Sequence, residues 1–75
     1  MAYWKDEYAV AIADTSDEIA WYDDCGEAVE AARKYASAHI GKGYKIIAIR
    51  RCYDERTECE TYIGNDDGTV SVIDA

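Results

Sequence analysis

Residues 24–53, DCGEAVEAARKYASAHIGKGYKIIAIRRCY, decide the fold class. Asp24 stands three places before Glu27, the acidic form of a capping box that satisfies the first free N–H groups of a helix. Ala28, Val29, Ala32, Tyr35, Ala36 and Ile40 then recur at helical spacing, with acids in the first turn and Arg33 and Lys34 further on. Gly41 supplies the left-handed residue that ends such a helix. The spacing predicts a helix over residues 25–40 whose buried stripe is mostly alanine, able to lie close against a sheet. Residues 44–53 then turn β-rich, with Ile46, Ile47 and Ile49.

Toward the N-terminus, Tyr8, Val10 and Ile12 alternate with Ala9, Ala11 and Ala13, which is strand periodicity. The polar run Asp14-Thr15-Ser16-Asp17 turns the chain into a strand over residues 18–22. With Asp14 facing Asp17, Ile12 falls opposite Ile19, Val10 opposite Trp21, Ala11 opposite Ala20 and Ala9 opposite Tyr22. Toward the C-terminus, Asp54-Glu55-Arg56-Thr57 reads as a turn into a strand over residues 58–63. Asn65-Asp66-Asp67-Gly68 is a strong hairpin signal, and residues 69–73 form the last strand. The order is β-β-α-β-β-β, a two-layer α+β domain over residues 1–75 with one helix on a four- to five-stranded, mainly antiparallel sheet. A mixed β-grasp sheet and an all-antiparallel one both fit.

These turns set further registers. Asp54 opposite Thr57 puts Arg51 against Glu60, Ala48 against Ile63 and Ile49 against Tyr62. An Asp67-Gly68 turn puts Ile63 against Val72 and Tyr62 against Ile73. One face then carries Ile46, Ala48, Cys52, Cys59, Ile63 and Val72, suited to the helix. The other carries Ile47, Ile49, Tyr53, Tyr62 and Ile73, uncovered in a monomer. Ile47, Ile49, Tyr62 and Ile73 are therefore a candidate self-association surface, in a chain expected to be a monomer or a homodimer.

Charge is sorted into blocks. Residues 1–32 hold nine carboxylates against Lys5, residues 33–51 hold six bases and no acid, and residues 52–75 hold seven acids against Arg56. The net charge of −8 argues against direct binding of nucleic acid, which requires neutralised phosphates, and suits a basic protein partner. The candidate partner-binding residues are the acids Asp14, Asp17, Glu18, Asp23 and Asp24 with the tyrosines Tyr22, Tyr53 and Tyr62. Trp4 is a further anchor, since large aromatics dominate binding hot spots.

Other chemistries find little support. Cys25, Cys52 and Cys59 are odd in number and lack a CxxC, which reads as a reduced cytosolic chain. Cys52 and Cys59 fall opposite each other in the expected register. Cys25 at a helix start has acids beside it that oppose a thiolate, and His39 suits the C-terminal end of the helix dipole. Cys25, His39, Cys52 and Cys59 are too scattered for zinc, and residues 65–68 lack the ligand spacing of a calcium loop. No nucleotide, hydrolase or metalloprotease motif occurs, so neither enzyme, cofactor nor metal is expected. No apolar run spans a bilayer and no secretory signal is visible, so a cytoplasmic chain with no membrane partner is expected.

In size, acidity and hairpin–helix–sheet plan the chain resembles the small inhibitors that phages encode against bacterial defence, anti-CRISPR proteins in particular. The residues carrying that resemblance are the clusters Asp14/Asp17/Glu18 and Asp23/Asp24/Glu27/Glu30 and the junction His39-Ile40-Gly41-Lys42-Gly43. It implies a non-enzymatic inhibitor of a bacterial nucleic-acid-targeting defence complex.

Overall fold

The computed structural model describes residues 6–50 and 52–74. Two strands, β1 (Asp6–Ile12) and β2 (Glu18–Tyr22), lead into the helix α1 (Cys25–Ala38). Three more follow, β3 (Gly43–Arg50), β4 (Glu55–Gly64) and β5 (Val70–Ile73). They form one sheet in the order β2-β1-β3-β4-β5, and every neighbouring pair is antiparallel. The α+β plan read from the pattern is the observed one, and the mixed β-grasp alternative is not.

The helix begins where its cap predicts. The Asp24 carboxylate accepts the Glu27 backbone N–H at 3.1 Å. It ends earlier than expected: His39 is the C-cap, Gly41 turns at φ 85°, and Ile40 lies outside the buried stripe, 55 % exposed. Ala28, Ala32 and Ala36 are fully buried against Val10, Tyr44, Ile46 and Tyr62. Burying Val10 and Ile46 stabilises the fold by roughly 1.5–3 kcal/mol each. The alanine stripe brings backbone close to backbone. A Cβ on Gly64 would lie 1.9 Å from the Ala36 carbonyl oxygen, so only glycine fits there.

All three expected hairpin registers are corrected, each by its turn. Ser16 is left-handed at φ 63° and the Ile12 N–H donates to the Asp17 carbonyl, so the β1–β2 loop closes differently and a bulge follows. Ala9 therefore faces Trp21 and Tyr8 faces Tyr22. Trp21 thus lies on the face away from the helix, and Tyr22 on the helix face. Between β3 and β4 the chain turns at once: the Tyr53 N–H donates to the Arg50 carbonyl, Asp54 is left-handed at φ 52°, and Arg50 pairs with Glu55. Tyr44 rather than Ile49 faces Tyr62, and Gly43 rather than Ala48 faces Ile63. Cys52 sits exposed in that turn, away from half-buried Cys59, so the two do not oppose each other. The Arg51–Glu60 pairing lies outside the described residues.

The β4–β5 loop has three residues, Asp66, Asp67 and Gly68, with Gly68 at φ 90° and the Asn65 N–H donating to the Thr69 carbonyl. That geometry is a type I turn closed by a glycine bulge. Thr69 donates its hydroxyl (2.6 Å) and N–H (3.0 Å) to Asp67, holding that carboxyl below its ordinary range. The one-residue offset sets Tyr62 against Val72, and pairing with Tyr44 of β3 places Tyr62 on the helix face.

Two outcomes follow from this packing. Gly64→Ala should cost about 3 kcal/mol in urea unfolding, because a backbone carbonyl, not a mobile side chain, blocks the methyl. Burial, reinforced by a 2.7 Å hydrogen bond to Glu60, pushes the Tyr62 phenol up to about 12. The folded state favours the neutral ring, so this stability is fully present below the ordinary phenol value of 10.0 and lost as pH rises through about 12. Ring NMR signals of Tyr62 should titrate with that late midpoint; a midpoint at the ordinary value would contradict the burial.

Candidate functional site

A single helix is about 10 Å wide and covers roughly two strands spaced about 4.8 Å apart. Here α1 packs mainly on β3 and β4 and least on the two edges. On the β2 side this leaves a groove of about 520 Å³ between the helix and the edge strand. Its floor is Tyr22, Ala31, Tyr35 and Ala38, and its rim carries Glu27, Glu30, Lys34 and His39. Tyr35 is fixed by stacking on Tyr44, with centroids 5.4 Å apart. The other flank of the helix is closed by Arg33 over the Tyr62 ring at 5.2 Å.

The sheet face away from the helix is not the open apolar surface expected. Ala9, Ala11, Ile47 and Ile49 form a second cluster there, with Ile47 5 % and Ile49 1 % exposed. Long polar side chains lie across it. Arg56 of β4 donates from Nε to Glu18 Oε2 on β2 at 2.8 Å, so this pair reaches over β3 and β1. Glu18 Oε1 also accepts the Trp21 indole N–H at 3.1 Å, and Arg56 Nη1 donates to Asp54 at 2.8 Å. Hydrogen bonds to Glu18 and Asp54 raise the Arg56 pKa, so the cation persists. Beside it, the buried Lys45 ammonium donates to Ser16 Oγ at 2.8 Å and Glu58 Oε2 at 2.9 Å.

The proposed site residues are thereby divided. Asp14 and Asp17 lie exposed in the β1–β2 turn at one end of the sheet. Asp23, Asp24 and Tyr53 lie at the other end, with Tyr22 facing the groove. Glu18 is held in the Trp21–Arg56 network, and Tyr62 is buried beneath the helix. Of the self-association set, Ile47, Ile49 and Tyr62 are buried and Ile73 is 51 % exposed. Trp4 lies outside the described residues.

Sequence reasoning missed Trp21 and Ile19, the exposed apolar residues of the edge strand, and the groove residues Lys34 and Tyr35. The groove residues carried a signal, since Glu27, Glu30, Lys34 and Ala38 share the helix flank beside the alanine stripe. Trp21 carried none, because its face depends on the bulge.

Among the described residues no group of His, Cys, Asp and Glu side chains gathers to hold a metal, and no helix is long and apolar enough to cross a membrane. The arrangement offers aromatic surface, a strand edge unpaired among the described residues, and exposed carboxylates. Comparison of the chain with known protein families, curated proteins and solved structures found no match.

Lys45 and Arg56 differ in burial, and the stability their ion pairs contribute should reflect it. Glu58→Gln leaves the buried Lys45 ammonium without its counter-charge and should cost about 1–2 kcal/mol. Asp54→Asn leaves the exposed Arg56 still bound to Glu18 and should cost less than about 0.5 kcal/mol. Urea midpoints of the two variants measure the difference; equal losses would show that Lys45 does not depend on Glu58.

Proposed function

We propose that this chain is a non-enzymatic, protein-binding inhibitor that occupies a basic nucleic-acid-binding surface of its partner. One observation carries the reading: Asp14, Asp17, Glu27, Glu30, Glu55 and Asp66 are exposed and, among the described residues, make no ion pair with a base. Two of the chain's bases, Lys45 and Arg56, are already consumed inside the molecule. The negative charge is therefore not self-compensated. Each exposed pair formed with a partner contributes at most about 1 kcal/mol, so the acids set approach and specificity, while Trp21, Tyr22 and Tyr53 supply short-range energy.

The sharpest version is a phage counter-defence protein acting in the bacterial cytoplasm on the nucleic-acid path of a defence complex. Its support is the combination of small size, acidic turns and helix start described above. Self-association through Ile47, Ile49, Tyr62 and Ile73 has less support, since only Ile73 is exposed.

The test is capture from a bacterial lysate on immobilised protein, with each purified partner then assayed for DNA or RNA binding. The captured proteins should be basic, lose their nucleic acid on adding the chain, and bind it at least about tenfold more weakly between about 50 mM and 200 mM salt. Partners that keep their nucleic acid, or an affinity indifferent to salt, would refute the proposal.

A further inference from the structure

The edge of the sheet next to the groove points to a mode of binding that charge alone does not. Among the described residues β2 pairs with β1 on one side and with nothing on the other. An unpaired edge presents backbone N–H and C=O groups to any extended segment. A strand laid beside β2 would send alternate side chains to opposite faces. One set would enter the groove over Tyr22, Ala31, Tyr35 and Ala38; the other would lie against Ile19 and Trp21. Both sets meet apolar surface on an otherwise acidic molecule. Because Ile19 sits in the bulge, the regular edge is short, and side-chain contacts must supply much of the energy.

The charges around the edge select the occupant. A second copy paired antiparallel about Ala20 would bring Asp17 of each copy against Asp23 of the other, the acidic turn against the acidic helix start. Like charges directly opposite each other oppose pairing. A segment with an apolar, alternating centre and lysine or arginine at both ends meets the reverse situation, with Asp14 and Asp17 at one end and Asp24, Glu27 and Glu30 at the other. We infer that β2 accepts an extended, basic-flanked segment of a partner protein as an added sixth strand, its inward side chains seated in the groove. The inference deepens the proposed function and rests on it for the partner's positive charge. The opposite edge, β5, also has acids at its ends, Asp66, Asp67 and Asp74, but none of its residues lines the groove, so it serves as the control that separates groove from charge.

The probe is a synthetic peptide of alternating valine and threonine with two lysines at each end, titrated into the isotope-labelled full chain and followed by NMR. Backbone amides of β2 should gain at least about tenfold protection from hydrogen exchange, with shift changes at Tyr22, Ala31 and Tyr35. Ile19→Lys, on an exposed side chain, should weaken binding at least about tenfold, Trp21→Lys should do the same, and Ile73→Lys should change nothing. Protection at β5, equal binding of a proline-interrupted or glutamate-flanked peptide, no shift at millimolar peptide, or β2 protection that rises with chain concentration alone would each overturn the inference. The two ideas separate cleanly. A basic partner that loses its nucleic acid while the β2 amides stay unprotected removes the edge and keeps the function. Peptide addition at β2 without nucleic-acid displacement does the opposite.

Discussion

The close approach of α1 to the sheet, with the Ala36 carbonyl against Gly64, is the contact on which the rest of the molecule depends. Three alanines in a row along the helix let its backbone settle near the strands, and a side chain at Gly64 would lift it away. That contact also fixes where the helix sits. Centred on β3 and β4, it leaves both edge strands less covered, and the groove is the space beside β2. The main core and the candidate site are thus two results of one placement.

With the one helix among the described residues committed to one face, the other face must be protected without a second layer. The chain does this with charge. Arg56 stretches toward Glu18 across two intervening strands, and Lys45 lies flat between Ser16 and Glu58. Long cationic side chains cover apolar surface with their methylenes while their heads stay hydrogen-bonded. Ala9, Ala11, Ile47 and Ile49 are shielded in this way. Such a roof contributes less than a packed helix would, because exposed ion pairs are weak, but it also removes a sticky patch from a small domain.

Lys45 and Arg56 are thus engaged within the molecule instead of joining a separate basic patch. Acidic turns emerge at both ends of the sheet, and two bases withdraw into the roof. What remains outside is an excess of carboxylates, Asp14, Asp17, Glu27 and Glu30 among them, toward the two ends of an edge strand that exposes Ile19 and Trp21. In the proposed mode of binding, negative charge at the ends of that edge directs approach, while the apolar side chains and the groove reward a segment that fits.

The amino-acid pattern by itself determined the element order, the helix start, the alanine stripe and the antiparallel character of the hairpins, because each rests on neighbours within a few residues. Asp24 capping Glu27 is such a case. It could not determine the registers. Tyr8, Val10 and Ile12 and the interleaved alanines are all apolar, so a shift of one residue between β1 and β2 leaves the pattern equally satisfied. The left-handed residues Ser16 and Asp54, the bulge at Ile19 and the three-residue loop at Gly68 made that choice. Those choices are settled by where the helix packs and which ring it must cover. They put Tyr62 in the core and Trp21 at the surface, an exchange that only the tertiary structure decided.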